Sequence, residues 1–236
     1  MNKKLLSLLA LSATSLWPLQ AEMLVSWDPE GFIYKGADKI KPPQPWAESV
    51  NSPAGEAISI VTVAPGVKVS EGLDLGPGFK ASRLNTAWGG VSSDEHSKTA
   101  AEAERAGNFI TFSIAPEPGY QLALKSIEMN ALVREGVTLG YIWQYSLDGT
   151  TFTDITTTPS TIAGNFGRPG GRGQTLDSLN ISNIAPLKKL GTAVTFRLVL
   201  WKISGETLTE PGGFLFAIGR MPGEDLSVQG EAKKGQ

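Results

Sequence analysis

The chain has 236 residues and a net charge of −2, with 21 basic and 23 acidic side chains and no cysteine. This balance gives no electrostatic basis for binding nucleic acid or an anionic membrane. A chain without cysteine forms no disulfide and carries no lipid-modified cysteine, and the length suits one large all-β domain that folds without crosslinks.

The first residues have the order of a secretory signal peptide. Two lysines precede an apolar run from Leu5 to Trp17, and the small Ala21 follows. The run is short for a membrane span and is interrupted by serine and threonine. We therefore expect residues 1–21 to be a cleaved signal peptide and residues 22–236 to be a single domain with no stable membrane insertion. Export without cysteine is typical of a bacterial envelope protein, so we expect a secreted, periplasmic or cell-surface location.

Proline and glycine, which break strands, are concentrated in three stretches before the predicted helix. Gly31–Pro53 is expected to be a long surface loop, Leu73–Phe79 to be broken, and Gly89-Gly90 to close a strand. Strands are predicted at Met23–Asp28, Ile58–Val63, Val67–Val69 and Lys80–Trp88.

One helix is predicted, at Ser93–Ala106. The alanines of TAAEAERA favour helix, acidic residues suit its first turn, and Gly107 is suited to end it. Ser92 or Ser93 is the expected N-cap. The helix should have roughly three turns.

The central stretch has the clearest β-pattern. From Val137 to Leu147 every odd position is apolar, which predicts a strand with one buried face. Asp148-Gly149 then favours a tight hairpin turn, with a return strand at Thr150–Ile155. Upstream, the apolar register switches from even positions to odd ones, and a bulge at Lys125-Ser126 would reconcile the two.

Strands are also predicted on either side of this stretch. Ile110, Phe112 and Ile114 should share one face of a strand at Asn108–Ile114. Ala193–Ile203 is apolar on nearly both faces, which predicts a central strand covered on both sides. The remaining expectations are strands at Leu179–Ile184, Phe214–Ile218 and Leu226–Val228, and a solvated tail at Lys233–Gln236.

Together these elements predict an all-β antiparallel sandwich of jelly-roll type with one short helix. The segments NFITFSIAPEPGYQLALKSIEM, YSLDGTTF, AVTFRLVLWKI and FLFAIGRMPGEDLSVQGEA follow a Trp-Gly pair and the helix in order. In this order the chain resembles the jelly-roll domain of secreted bacterial PEP-CTERM-type proteins. It lacks their sorting tail, because Pro116-Glu117-Pro118 lies mid-chain in a predicted turn. The hairpin YSLDGTTFTDI is similar to those of discoidin-like and other carbohydrate-binding jelly rolls.

Catalytic and metal-ligating residues are sparse. His96 is the single histidine, and as part of a polar first helical turn it is interpreted as solvated. A glycosidase needs only two carboxylates. The candidate pairs are Asp28 with Glu30, Asp94 with Glu95, and Glu224 with Asp225, and each lies at an element end where acidic residues commonly cap or solvate. No cofactor is expected, although a structural calcium ion is compatible with a jelly roll.

The candidate ligand-binding residues lie in loops. Trp46 in a proline-rich segment and Trp88 before Gly-Gly are expected to be exposed, where an indole can stack on a sugar ring. The alternative for both is packing over a sheet edge, whereas Trp143 and Trp201 are predicted core residues. Arg168 and Arg172, within the glycine-rich Gly164–Gly173, could bind an anionic group, or this segment is a plain flexible loop.

These observations favour an exported, non-catalytic protein that binds a glycan or another cell-envelope component, with no nucleic-acid partner. Two alternatives stay open. One is a structural protein of the cell surface or extracellular matrix without a small ligand. The other is a polysaccharide hydrolase that uses two carboxylates.

Overall fold

Two antiparallel sheets face each other in the computed structural model, which describes residues 22–28, 60–84, 87–92, 97–166, 173–205, 214–219, 221 and 223–235. One short helix, α1 (Ala100–Ala106), accompanies them. The strands are β1 (Glu22–Asp28), β2 (Ile60–Val63), β3 (Val67–Leu75), β4 (Phe79–Leu84), β5 (Ala87–Ser92), β6 (Phe109–Pro116), β7 (Tyr120–Val133), β8 (Val137–Ser146), β9 (Thr153–Asp154), β10 (Ser160–Ala163), β11 (Gln174–Thr175), β12 (Leu179–Asn180), β13 (Val194–Gly205), β14 (Phe214–Gly219) and β15 (Leu226–Lys234).

Successive strands repeatedly alternate between the two sheets. Sheet 1 has the order β2-β1-β15-β7-β14-β5-β4, with β11 and β12 also paired to β7. Sheet 2 has the order β10-β8-β13-β6-β3, with β9 also paired to β8. The chain therefore crosses the core between β5 and β6, between β6 and β7, and again between β7 and β8, in the winding typical of a jelly roll. The predicted all-β antiparallel sandwich with one short helix is confirmed.

The centre of the core is an aromatic cluster that joins the two sheets. The ring of Phe112 in sheet 2 lies 4.9 Å from that of Trp27 in sheet 1, measured between ring centroids. Phe196 and Trp143 approach the same ring at 5.3 Å and 6.3 Å. Aromatic pairs at such separations add to the hydrophobic stabilisation of the buried area.

The predicted bulge in β7 is confirmed. Ser126 pairs with Gln229 of β15 whereas Leu124 pairs with the next residue, Gly230, so Lys125 is the extra residue. Because of this bulge, the apolar side chains on both sides of it point into the core.

The alternation along β8 is also confirmed. Val137, Leu139, Tyr141 and Trp143 belong to the core, and Tyr145 packs against it, while Leu147 is 46% exposed beyond the strand. The hairpin after β8 is wider than the tight turn predicted from Asp148-Gly149, because β9 pairs first at Thr153, opposite Tyr145. The carboxylate of Asp148 folds this loop by accepting the backbone N–H groups of Thr150 and Thr151.

The helix begins later than the sequence predicts. Thr99 is its N-cap, and Thr99 and Glu102 form a reciprocal capping box. Gly107, at φ 78°, ends the helix in the left-handed conformation as predicted. The helix therefore has seven residues rather than fourteen, and Ser92 is paired in β5 instead of capping it.

Three strands extend further than the sequence predicts. β3 continues to Leu75, β15 includes Lys233 and Lys234 of the predicted tail, and Gly89-Gly90 lies inside β5 rather than ending a strand. A Cβ atom on Gly89 would lie 2.2 Å from the carbonyl oxygen of Phe216, so glycine there permits close strand pairing.

In place of the strand predicted at Leu179–Ile184, only Leu179–Asn180 pairs as strand, and a 3-10 helix follows at Ala185–Lys189. The central strand predicted at Ala193–Ile203 is confirmed as β13, which lies between β8 and β6. Residues 1–21 and the predicted loop Gly31–Pro53 lie outside the described residues, as does His96.

Candidate functional site

The outward side chains of sheet 2 form two polar rows that run across the strands. On β6 and β13 the inward positions are apolar, so the intervening positions face away from the core. Strand pairing places Glu71, Ser113, Thr195 and Ser146 in the first row. The second row consists of Asp74, Thr111, Arg197 and Gln144. We call these eight residues, together with Asp148, Phe152 and Asp154 from the segment after β8 and Glu104 from α1, the polar face.

The first row is a chain of hydroxyl contacts. The hydroxyl oxygens of Ser113 and Thr195 are 2.7 Å apart, and the carboxylate of Glu71 lies 3.5 Å from Ser113 Oγ. At the other end, Ser146 donates a hydrogen bond of 2.8 Å to Asp148. Ser113 and Ser146 are buried, whereas Glu71 and Asp148 are exposed. The row therefore presents carboxylates at both of its ends.

The second row is organised by Gln144, which is only 4% exposed. Its Nε2 donates to Glu104 Oε1 and to Asp154 Oδ1, both at 2.7 Å. Its Oε1 accepts from Arg197 Nε, also at 2.7 Å. Because each polar atom of this amide has a partner, Gln144 holds α1, β9 and β13 in one arrangement.

Arg197 completes the network and supports an aromatic ring. Its Nη2 lies 3.2 Å from Glu104 Oε2, and its guanidinium carbon lies 3.7 Å from the centroid of the Phe152 ring. The ring of Phe109 is 5.2 Å away from the same carbon. Stacking on a guanidinium is favourable for aromatic rings. Phe152 is partly exposed, so part of its ring surface is accessible beside the second row.

Helix α1 covers the neighbouring part of sheet 2 and borders the polar face. Ala103 of the helix packs with Ile142, Val199 and Trp201 in a second apolar cluster. The indole of Trp201 lies against Gly140, where a Cβ atom would be 2.3 Å from Trp201 Cε2. These contacts hold the helix so that Glu104 reaches the second row.

Three ionisable groups of the polar face have displaced pKa values. The backbone N–H groups of Thr151 and Thr150 hold the pKa of Asp148 well below its usual range. Asp74 is exposed to solvent, but partial desolvation of its carboxyl group by neighbouring atoms raises its pKa, and repulsion from Glu71 adds to this increase. Burial lowers the pKa of Arg197, while the charges of Glu104 and Asp154 oppose that decrease.

The expectation that Trp88 is exposed is wrong. Trp88 is 2% exposed and belongs to the main core, because its place in β5 opposite Ile218 directs the indole between the sheets. It therefore offers no ring face to a ligand. Trp143 and Trp201 are buried, as predicted.

The other predicted ligand-binding residues, Trp46, Arg168 and Arg172, lie outside the described residues. Phe166, the last described residue before the two arginines in sequence, packs on Ala87, Leu132 and Ala217 at sheet 1, away from the polar face. The structure does not bring Trp88 together with the polar face, and it identifies Phe152 as an aromatic residue there, stacked on Arg197.

Of the carboxylate pairs predicted from the sequence, only Glu224 with Asp225 lies wholly within the described residues. Asp225 is fully buried, and its Oδ1 accepts from the side chain of Asn130 and from the backbone N–H of Met221, each at 3.3 Å. These bonds fix the turn before β15. Glu30, Asp94 and Glu95 lie outside the described residues.

The sequence contains one signal for the polar face, the placement of two polar residues within otherwise apolar strands. Gln144 and Arg197 occupy the positions between core residues of β8 and β13, where a polar side chain must point away from the core. The two residues are side by side because β8 pairs with β13, and the sequence of either strand alone does not indicate that pairing.

Within the described ranges no helix is long and apolar enough to cross a membrane. Across those same residues, no group of three or more histidine, cysteine, aspartate or glutamate side chains is arranged to hold a metal ion. In sequence, the chain matches no known protein-family model and no curated protein.

Proposed function

We propose that this chain is an exported, non-catalytic β-sandwich protein that binds a glycan or another cell-envelope component on its polar face. The signal-peptide order of residues 1–21 supports export. One observation supports binding above all: the partly exposed ring of Phe152 lies beside rows of hydroxyl, amide and carboxylate groups.

This combination matches the chemistry of a sugar. The hydroxyl groups of a sugar both donate and accept hydrogen bonds, and the polar face offers acceptors at Glu71 and Asp154 and hydroxyls at Thr111 and Thr195. The C–H face of a sugar ring packs on an aromatic ring, and Phe152 supplies one that Arg197 already supports from one side. A ligand lying across the strands would meet both kinds of group.

The hydrolase alternative has one observation in its favour, since Glu104 and Asp154 bind the same nitrogen of Gln144 and are therefore close together. A retaining glycosidase places two carboxyl groups roughly 5–5.5 Å apart. However, the amide of Gln144 donates to both groups, and Arg197 pairs with Glu104. Both carboxyl groups are therefore engaged in holding α1 and β9 to sheet 2. Binding without turnover is the better match to this network.

The test is a screen of immobilised polysaccharides and soluble oligosaccharides, with release of reducing ends assayed in parallel. We expect retention without turnover. In Phe152→Ala the affinity should fall by about 5- to 150-fold, by analogy with the loss of an aromatic stacking partner for nucleic-acid bases. The melting temperature should change little, because a partly exposed cation–π contact contributes only about 0.5–1 kcal/mol.

Val63→Ala is the matched control, because Val63 is a 41% exposed apolar residue of sheet 1. It should bind like the parent protein. Trp46→Ala tests the site that the sequence alone suggested. A loss of binding in Trp46→Ala together with parental binding in Phe152→Ala would move the site away from the polar face. Turnover of any polysaccharide would favour the hydrolase, and the absence of both retention and turnover would favour the structural alternative.

Export has a separate test. In the native cell, the mature protein should begin near Glu22, which is also the first residue of β1. Mass spectrometry of protein from the envelope and medium fractions measures this directly. Recovery of a chain that retains residues 1–21 would contradict export through signal cleavage.

A further inference from the structure

We propose that the glycan bound by the polar face carries positively charged amino groups, as de-N-acetylated amino sugars do. This inference rests on the proposed function and names its substrate class. It depends on the charges of the polar face and on the contacts that its single described arginine already makes.

Carboxylates dominate the polar face. Its acidic members come from four different elements or loops, whereas Arg197 is its one basic member among the described residues. A further cation, Lys68, lies on β3 opposite Ala115, beyond the first row. The acidic side chains are Glu71, Asp74, Glu104, Asp148 and Asp154.

Arg197 offers little surface to an anionic ligand, because its side chain is only 13% exposed. Its Nε donates to Gln144, its Nη2 pairs with Glu104, and its plane lies against Phe152. A uronate or sulfate on the ligand would therefore meet exposed carboxylates and little of the guanidinium, which is electrostatically unfavourable. The polar face thus discriminates against acidic glycans.

The carboxylates also keep acceptor capacity for a cation. Each carboxylate offers about four lone-pair sites, and the hydrogen bond of Asp154 to Gln144 occupies one. Glu71 has only the long 3.5 Å contact to Ser113, and Asp74 accepts the backbone N–H of Leu75. An ammonium group is a compact donor of three hydrogen bonds and suits such acceptors.

The spacing of the charges favours a polymer over a single ion. Carboxylates lie on β3 at one end of the rows and on β9 at the other. Four inter-strand spacings separate these strands, which is about 19 Å. A chain with repeated amino groups, lying across the strands, reaches both ends and the Phe152 ring beside Arg197 of the second row.

The experiment compares three oligosaccharide series by isothermal titration calorimetry. Chito-oligosaccharides that are fully N-acetylated are neutral, their de-N-acetylated forms are cationic, and oligouronates are anionic. We expect the cationic series to bind about tenfold or more tightly than the neutral one, and the anionic series to show no binding. The affinity for the cationic series should fall as salt increases from about 20 to about 200 mM, because screening weakens exposed charge pairs.

The discriminating variant is the double substitution Glu71→Gln with Asp74→Asn. Both residues are exposed and lie at the edge strand of sheet 2, away from the Gln144 network. Loss of two exposed charge pairs should weaken cationic binding by about 5- to 10-fold and weaken neutral binding less, because each new amide keeps a hydrogen-bond acceptor for a sugar hydroxyl. Glu128→Gln together with Asp177→Asn is the control, because it removes the same charge from exposed positions that lie outside the polar face.

The outcomes separate this inference from the proposed function. Equal or tighter binding of the neutral or anionic series overturns the inference, and the proposed function then stands if Phe152→Ala weakens that binding. An equal loss of cationic binding in the control variant also overturns it, since the effect would reflect net charge alone. Failure of all three series and of the polysaccharide screen overturns both.

Discussion

The substitution Gln144→Glu tests whether one amide holds α1 and β9 against sheet 2. It keeps the size of the side chain and an acceptor for Arg197, but it replaces the donor that binds Glu104 and Asp154 with a third carboxylate. Two charge-assisted hydrogen bonds of 2.7 Å are lost, and each is worth about 1.5–3 kcal/mol. Since the Glu104 side chain is 32% exposed and Asp154 is exposed, we take the lower value for both. The free energy of unfolding should then fall by about 3 kcal/mol near pH 7.

The measurement is urea unfolding of parent and variant at about pH 7 and about pH 4.5, supported by thermal melts. A loss of about 3 kcal/mol lowers the melting temperature by about 6–12 °C in a protein of this size. The clustered carboxyl groups bind protons more tightly in the folded variant than in its unfolded chain, so its deficit should shrink as the pH falls. Gln144→Leu lacks the added charge, and its deficit should vary less with pH. A deficit for Gln144→Glu below about 1 kcal/mol, or one that does not change with pH, would refute this account of the network.

Three further predictions concern the core and the surface charges. Trp88→Ala should lower the free energy of unfolding by about 3–5 kcal/mol, as removal of a buried aromatic does; a melt within 2 °C of the parent would show that the indole is not core. Gly140→Ala should displace the indole of Trp201, which should lower the free energy of unfolding by about 1–3 kcal/mol and change the near-UV circular dichroism spectrum. An unchanged spectrum together with parental stability would contradict the contact between Gly140 and Trp201. The hydrogen bond from Lys125 lowers the pKa of Glu231 below its ordinary 4.5, so this carboxylate stabilises the fold above that pH and loses its contribution as the pH falls towards the lowered value. Glu231→Gln should therefore be less stable than the parent near pH 7 and equal to it near pH 2, and a deficit of the same size at both would exclude this linkage.

The sequence predicted the inner face of the sandwich well, because burial on one side of a strand imposes a two-residue period. The odd positions of β8 face the core as the pattern indicated. The bulge at Lys125 was also predictable, since a change of register in one strand leaves both apolar sets buried only if an extra residue lies between them.

The sequence predictions are wrong where the same residue type is compatible with more than one local structure. Gly89-Gly90 was interpreted as the end of a strand, but close pairing with β14 also requires glycine. Trp88 was therefore expected in a loop and is instead core. The predicted helix start is wrong because several residues before Ala100 can cap a helix, and Ser92 with Glu95 has the same capping-box spacing as Thr99 with Glu102. Ser92 is instead the last residue of β5.

The polar face could not be predicted from single strands, because it depends on which strands are neighbours. Gln144 and Arg197 are 53 positions apart in sequence, and the antiparallel pairing of β8 with β13 makes them adjacent. Glu104 joins them only because α1 packs on Trp201 and Val199 of β13. Each of these positions taken alone is a polar residue on a solvent-facing side, which is common in any sheet.

The contacts of the polar face divide its residues into two groups with different expected consequences of substitution. Gln144 and Arg197 have partners on α1, on β9 and on each other, so replacing either should loosen the helix and the hairpin before any ligand is considered. Phe152 has its guanidinium contact on one side and is partly exposed, while Asp74 is exposed, so neither is needed to hold the strands together. A surface that evolved only to support the helix would have no requirement for acidic residues at both ends of its rows. The separation of the edge carboxylates from the network is therefore the feature that binding measurements on edge variants can examine without unfolding the protein.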